Sequence, residues 1–296
     1  MNSFDTLDIA CSGNASIQLR RYSRPGAPRL VLSHGNGFAI DGYRLFWEQL
    51  QSDYELCLFD LRNHGANPLS SLQTHSIAAM ARDHVDIAAY IAANFDPRPT
   101  FGLFHSVSSI AAIRAALDHN LQWDGLILYD PPLIAPAENP LRDMNKQLDQ
   151  TLANFALNRP HHFACIDELA AQFRQRLGRS WAAGAEFDMA KAITRPSPGG
   201  GYELSCPGKY EARIYTENAE FDSFEAMAAL KPPVYLICAD PAAPRALSPA
   251  FSGPQAAAKF GFKHVSIPGT GHLLQIEKPE LVAETTRKFI QQMLPA

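Results

Sequence analysis

Short apolar runs alternate with amphipathic stretches over the first 130 residues of the chain. The apolar runs, which predict β-strands, are FDTLDIA, SIQLRRY, RLVLSH, ELCLFDL, TFGLFHS and GLILYD. Several of them are continuously apolar, as is typical of strands buried on both faces of a parallel sheet. Helical patterns lie between the runs near residues 43–51, 75–93 and 107–118. Strand alternating with helix predicts a doubly wound, mostly parallel sheet with helices on both faces.

The pattern changes between residues 133 and 227, where no convincing strand is found. Amphipathic stretches at 139–157 and 166–177 predict helices there. The alternation then resumes with PVYLIC and HVSI, and a last helix is predicted over residues 279–293, with Pro279 in its first turn. We therefore expect a core made of residues 1–132 and 229–296, interrupted by a helical lid at 133–228. A separate helical domain is the alternative.

Composition and charge disfavour several classes of partner. The chain has 296 residues and a net charge of −4, without a long basic cluster, which argues against nucleic-acid binding. Its N-terminus has no basic segment followed by an apolar one, and no apolar run approaches the ~20 residues of a membrane span. We therefore expect a cytoplasmic protein that acts on a small molecule and binds no membrane. The oligomeric state stays open.

The cysteines are five in number and widely scattered, without C-x-x-C spacing. They are Cys11, Cys57, Cys165, Cys206 and Cys238. An odd count with this spacing argues against a disulfide framework and against a zinc site. Because free cysteine is among the most buried residue types, each thiol is predicted to be buried.

Polar residues follow several predicted strands, and in open α/β sheets functional groups gather at the carboxyl ends of strands. The glycine-rich turn HGNGF at 34–38 follows the third strand, Ser106 follows the fifth, and His272 follows the last one. With an acid at another strand end, this is the order of an oxyanion turn, a nucleophilic serine, an acid and a histidine. Taken singly, HGNGF also fits an ordinary tight turn, Ser106 a helix N-cap and His272 a solvated histidine.

Four motifs at these positions resemble those of the α/β-hydrolase superfamily, over essentially the whole chain. They are HGNG after the third strand, Asp60-Leu61-Arg62-Asn63-His64-Gly65 after the fourth, HSVS after the fifth and GTGH after the eighth. The resemblance implies an eight-stranded α/β-hydrolase fold with Ser106 as nucleophile and His272 as base. It also implies an oxyanion hole formed by the backbone N–H of Val107 and that of Asn36 or Gly37.

The sequence departs from the family pattern at three positions. Asn63 stands where the motif after the fourth strand has glycine, and Phe104 and Ser108 flank the nucleophile where the family has small residues. Ser108 is still small, whereas Phe104 must be accommodated by local repacking. His105 and Ser109, next to the nucleophile, are expected to support the site rather than to belong to the triad.

Two aspartates are candidates for the acid. Many relatives carry it after the seventh strand, where Asp240 precedes Pro241, but this loop is about two residues short. The segments HGN and ICADPA also resemble a subfamily of haloalkane dehalogenases, which places the acid after the sixth strand, at Asp130. We therefore favour Asp130 and keep Asp240 as the alternative. Each could instead be an ordinary turn residue before proline.

These features predict a serine hydrolase that cleaves a small ester, thioester or lactone without a metal or organic cofactor. Dehalogenation is disfavoured because that chemistry needs a carboxylate nucleophile. The alternatives are hydrolysis of a carbon–carbon bond in a diketone, and a ligand-binding homologue without turnover, which Phe104 suggests. Aromatic residues of the lid predict a substrate with an apolar or aromatic part, and three cations there are candidates for binding a carboxylate. The aromatic residues are Phe163, Phe173, Trp181, Phe187, Tyr202, Tyr210 and Tyr215; the cations are Arg174, Arg176 and Lys209.

Overall fold

The computed structural model describes residues 4–176, 180–231, 233–244 and 246–294. Within them, eight strands form one sheet and three form a small second sheet. The strands are β1 (Asp5–Cys11), β2 (Ala15–Tyr22), β3 (Arg29–Ser33), β4 (Glu55–Phe59), β5 (Thr100–His105), β6 (Gly125–Tyr129), β7 (His162–Phe163), β8 (Thr194–Pro196), β9 (Tyr202–Leu204), β10 (Val234–Cys238) and β11 (Lys263–Ser266).

The large sheet has the strand order β1-β2-β4-β3-β5-β6-β10-β11. β2 pairs antiparallel with both β1 and β4, and every other pairing in this sheet is parallel. β3, β4, β5, β6 and β10 are buried almost throughout, as their continuous apolar sequences predict. The predicted eight-stranded, mostly parallel sheet is therefore confirmed.

Helices cover both faces of the large sheet. The described residues form α1 (Arg44–Leu50), α2 (Ile77–Asn94), α3 (Val107–His119), α4 (Leu141–Asn158), α5 (Ile166–Arg176), α6 (Ala185–Ala192), α7 (Gly208–Glu220), α8 (Ser223–Ala226), α9 (Pro249–Phe260), α10 (Leu274–Glu277) and α11 (Pro279–Met293). Trp47 of α1 and Val282 of α11 belong to one hydrophobic cluster, and Met80 of α2 and Ile110 of α3 belong to a second. Alternate residues of β3 divide between the two clusters, so each face of the sheet has its own core.

The segment at 133–228, called the insert below, differs from its prediction in one respect. It contains helices α4 to α8, but also the antiparallel strands β7, β9 and β8, where no strand was expected. That expectation was wrong because these strands are only two or three residues long, too short to show an alternating pattern. Leu177, the last residue of the second predicted helix, lies outside the described residues.

The prediction that all five thiols are buried was wrong for two of them. Cys165 is exposed and Cys11 is half-buried, whereas Cys57, Cys206 and Cys238 are buried. Cys165 lies in the short connection between β7 and α5. None of the helices in the described part of the chain has the length and apolarity that a bilayer crossing requires.

Candidate active site

Ser106 lies on the sharp turn between β5 and α3. Its backbone has φ 54° and ψ −122°, a conformation that residues other than glycine rarely adopt. The side chain does not cap α3; its Oγ instead lies 3.0 Å from Nε2 of His272. An ordinary N-cap serine would have extended backbone angles and would accept an amide N–H from the helix. The local geometry is therefore that of a nucleophile turn.

Phe104 is accommodated by a glycine two residues earlier on the same face of β5. Its ring is fully buried and packs against His84 and Trp123, with ring centroids 4.5 and 5.7 Å away. A Cβ atom at Gly102 would lie only 2.5 Å from the Phe104 ring, so Gly102 provides the space that this ring occupies. Ser108 is buried, and its Oγ accepts the N–H of His105 at 2.9 Å. Phe104, two residues before Ser106, is thus part of the hydrophobic core.

The two candidate acids have different partners. Asp130 Oδ2 lies 2.6 Å from Nδ1 of His272, and Oδ1 accepts the N–H of Ala239 at 2.9 Å. Asp240 instead accepts the N–H of Gly269 at 2.7 Å and that of Ala242 at 2.8 Å. Both hydrogen bonds lower the pKa of Asp240, and the one from Gly269 has the larger effect. The structure therefore joins Ser106, His272 and Asp130 in one hydrogen-bonded chain, and Asp240 binds the loop that carries His272.

The loop that carries His272 is also held by two other side chains. Glu277 accepts the N–H of Gly271 at 2.8 Å, and burial raises the pKa of this carboxyl group. Nε2 of His105 lies 2.9 Å from the carbonyl oxygen of His272. The neighbouring Ser109 donates its hydroxyl to the carbonyl of Phe104 at 2.7 Å. His105 and Ser109 thus both form hydrogen bonds with backbone carbonyl groups around the site.

Two backbone N–H groups of the turn after β3 differ in their partners. Gly37, with φ 74°, donates its N–H to Nε2 of His64 at 3.1 Å. Burial lowers the pKa of His64 well below its usual value, which keeps this nitrogen an acceptor. Within the described part of the chain, the N–H groups of Asn36 and Val107 donate to no protein group. These two amides are therefore available to an oxyanion.

Asn63, which replaces the glycine of the family motif, adopts the backbone conformation for which glycine is favoured. It has φ 62°, a left-handed conformation that asparagine tolerates better than most residues. Its Oδ1 accepts the N–H of Ser70 at 2.6 Å, and its Nδ2 lies 2.9 Å from Nδ1 of His75. The substitution thus preserves the turn and adds hydrogen bonds that hold it.

Helix α7 of the insert contacts the turn after β3. Asn36 Nδ2 donates to the carbonyl of Glu211 at 2.9 Å, and a Cβ atom at Gly37 would lie 2.5 Å from the Glu211 carboxylate. Arg159 pairs with that carboxylate at 2.6 Å, and burial raises the pKa of Glu211. The sequence pattern does not indicate this ion pair, because a charged residue on an amphipathic helix is usually solvated.

A second polar contact joins the insert to the strand end that carries Asp130. Asn218 of α7 donates to the carbonyl of Pro132 at 3.0 Å and to Asp149 of α4 at 2.8 Å. Burial raises the pKa of Asp149 to about 7, while the hydrogen bond from Asn218 and, less strongly, the charge on His272 lower it. The insert therefore places a buried carboxyl group within electrostatic range of the candidate base.

The predicted substrate-binding side chains of the insert differ in their burial and in their partners. Phe163, Phe173 and Trp181 are buried in the hydrophobic cluster that contains α1, whereas Phe187 is exposed. Tyr202 and Tyr215 are half-buried, and Tyr210 donates its hydroxyl to the carbonyl of Ser70 at 2.9 Å. Arg174, Arg176 and Lys209 are exposed at the surface, and Arg174 pairs with Glu186 at 2.9 Å.

One further group in the insert has the donor types of a metal site. His161, His162 and Glu203 have potential ligand atoms that all lie within 4.8 Å of one another. Glu203 already pairs with Arg195 at 2.9 Å, and this cation opposes the charge of a metal ion. We therefore assign no metal to this group.

The fold is shared with hydrolases of known structure at low sequence identity. E-2-(acetamidomethylene)succinate hydrolase superimposes with a TM-score of 0.80 and 16% identity, covering 98% of this chain and 100% of that one. A thioesterase domain from the curacin biosynthetic pathway gives 0.74 and 18%, covering 97% and 100%. An esterase from Thermogutta terrifontis gives 0.68 and 19%, covering 98% and 99%. No curated protein matches the chain in sequence. The model of the alpha/beta hydrolase family matches residues 30–285, and the chain therefore belongs to that family.

Proposed function

We propose that the chain is a serine hydrolase that transfers an acyl group to water by means of Ser106, His272 and Asp130. The observation that carries the proposal is the hydrogen-bonded chain from Ser106 Oγ to His272 Nε2 at 3.0 Å and from His272 Nδ1 to Asp130 at 2.6 Å. A nucleophile, a base and an acid that orients the base are thereby within reach of one another.

In the first half-reaction, Ser106 Oγ attacks the substrate carbonyl and its proton passes to His272 Nε2. Negative charge develops on the carbonyl oxygen, and the N–H groups of Val107 and Asn36 stabilise it. We assign the second donor to Asn36 rather than Gly37, because the Gly37 N–H already binds His64. Asp130 holds the protonated ring of His272, which then donates the proton to the leaving group. This step leaves the acyl group on Ser106.

In the second half-reaction, water takes the place of the leaving group. His272 Nε2 accepts a proton from the water as its oxygen attacks the acyl carbon, and the same two amides stabilise the oxyanion. The proton returns to Ser106 Oγ, and the carboxylic acid leaves. Every proton is thus transferred by one imidazole, and the reaction needs no further reactant.

We further propose that residues 133–228 form a cap over this site. The contacts of α7 with Asn36 and Gly37 support the proposal, because these two residues lie in the turn at the carboxyl end of β3, where functional groups of open α/β sheets gather. A small ester, thioester or lactone is the proposed substrate. We propose an apolar or aromatic acyl part because the half-buried Tyr215 lies on α7, the helix that contacts the turn after β3.

Fluorophosphonate labelling followed by a panel of esters, thioesters and lactones tests the proposal. We expect covalent labelling at Ser106, and loss of both labelling and turnover in Ser106→Ala. His272→Ala should lose turnover by several orders of magnitude, and the double variant should be scarcely worse, because triad members act as a unit. If Ser106→Ala kept near wild-type turnover, Ser106 would be excluded as the nucleophile.

A further inference from the structure

A buried histidine directly before the nucleophile joins the separate segments of the proposed site. His105 has no exposed surface; its Nδ1 lies 2.8 Å from the Tyr43 hydroxyl, and its Nε2 lies 2.9 Å from the carbonyl oxygen of His272. Tyr43 is also buried and accepts the N–H of Gly35 at 3.3 Å. The hydrogen bonds therefore run from the turn after β3, through the end of β5, to the loop after β11.

The direction of each hydrogen bond follows from the groups involved. The carbonyl of His272 only accepts, so His105 must carry its proton on Nε2. Its Nδ1 then accepts the hydroxyl proton of Tyr43, and the Tyr43 oxygen accepts the N–H of Gly35. Burial, and secondarily the charge on His272, lower the pKa of His105 well below its usual value. The neutral tautomer that this network requires is therefore the stable form.

The packing around His105 leaves little room for rearrangement. A Cβ atom at Gly35 would lie 3.1 Å from Nδ1 of His105 and 3.2 Å from Cβ of Ser106, so the turn lies directly on the nucleophile. The ring of His105 also packs on the ring of His272, with centroids 4.8 Å apart. A displacement of His105 would therefore move Gly35 or His272 relative to Ser106.

We infer that His105 and Tyr43 are positioning residues that hold the oxyanion turn and the base in register with the nucleophile. The inference rests on the proposed function, and neither residue touches the reacting atoms. The network fixes the backbone of Gly35, next to the Asn36 donor, and the backbone of His272. It thereby restricts the distance from Ser106 Oγ to His272 Nε2, on which proton transfer depends, and the distance from the Asn36 N–H to the substrate oxygen. Misplacement by about 1 Å can cost about 100-fold in rate.

Tyr43→Phe tests the inference because it removes one hydroxyl and keeps the ring. The matched control is Tyr235→Phe, whose hydroxyl is also on a buried tyrosine but donates to Gln292 at 3.3 Å, away from the site. We expect Tyr43→Phe to lower kcat by about 10- to 100-fold with little change in KM. The control variant should keep kcat within about 2-fold of the wild-type value, and the two variants should have similar melting temperatures. Wild-type kcat in Tyr43→Phe, or an equal loss in both variants, would overturn the inference.

A spectroscopic measurement separates this inference from the proposed function. The proton between His272 and Asp130 should give a far-downfield NMR signal, which Tyr43→Phe is expected to shift or broaden and Tyr235→Phe to leave in place. This readout requires no turnover. If the wild-type protein neither labels at Ser106 nor hydrolyses any substrate, the proposed function fails, and the signal still decides the inference. An unchanged signal in Tyr43→Phe would refute positioning.

Discussion

Asp130 and Asp240 follow adjacent strands of the sheet, yet their carboxylates hold different parts of the site. Asp130 is fully buried and contacts the His272 ring, whereas Asp240 binds the backbone of Gly269 within the loop before His272. One carboxylate is thus placed to orient the ring, and the other to hold the loop that carries it.

Replacing each aspartate by asparagine distinguishes these roles. Asp130→Asn should lower kcat by about 10³- to 10⁴-fold, because the amide no longer selects the tautomer in which Nδ1 carries the proton. Asp240→Asn keeps one acceptor oxygen and should cost less than about 10-fold. Steady-state kinetics on one good substrate is the measurement. An inactive Asp240→Asn beside an active Asp130→Asn would reverse the assignment of the acid.

Strand β5 shows how a departure from the family pattern is compensated within one element. Residues two apart on a strand share a face, so the absence of a side chain at Gly102 leaves room for the ring of Phe104. The ring in turn fills a position among His84, Trp123 and Phe59 that a smaller residue would leave empty. The two positions therefore depend on each other.

A double-mutant cycle tests this dependence. Gly102→Ala should lower the free energy of unfolding by about 1–3 kcal/mol through overpacking, and Phe104→Ala by about 3–5 kcal/mol through the cavity it leaves. In the Phe104→Ala background, the added methyl group at position 102 should cost less, because only its contact with Leu126 Cδ1 at 2.9 Å remains; we expect a coupling energy of about 1 kcal/mol. Urea unfolding measures each variant.

Gly199→Ala is the control for that cycle, because a Cβ atom at this position would have no atom within 4 Å. It should leave the free energy of unfolding within about 0.5 kcal/mol of the wild-type value. An equal cost of Gly102→Ala with and without the Phe104 ring would show that the two residues do not compete for the same space.

The elements that the sequence predicted well are those with long patterns. β3 to β6, β10 and α11 follow from continuous apolar runs or clear amphipathic periods, and their bounds agree to within about two residues. Gly102 could not be linked to Phe104 in advance, because the pairing depends on the packing of a whole face. The contacts of Glu211 and Asp149 were equally hidden, since burial of a charged side chain depends on how distant helices meet.

At the scale of the whole molecule, the insert is tied to the core by polar groups as well as apolar ones. Asn36 donates to the carbonyl of Glu211, and Asn218 donates to that of Pro132; Asn36 and Pro132 each lie shortly after the end of a strand, β3 and β6 respectively. Asn218 also binds the buried Asp149, so α4 and α7 are joined at the same place. The charge state of Asp149 should therefore affect the stability of the whole chain.

The direction of that effect follows from the pKa of Asp149, which burial raises from 3.8 to about 7. Below about pH 4 the carboxyl group is protonated in both the folded and the unfolded chain and contributes no difference. Between about pH 4 and 7 the unfolded chain loses the proton that the folded chain keeps, so the free energy of unfolding falls as the pH rises. The loss is complete above about pH 7 and amounts to at most about 4 kcal/mol.

Asp149→Asn removes this titration and keeps an oxygen that can accept from Asn218. We expect the variant to be more stable than the wild type at pH 8 and the difference to shrink towards zero by pH 4, as measured by urea unfolding at a series of pH values. Asp143→Asn, on the exposed side of the same helix, is the control and should show no such trend. A stability difference for Asp149→Asn that does not change with pH would mean that the carboxyl group has an ordinary pKa in the folded chain, and that its burial against α7 costs no ionisation energy.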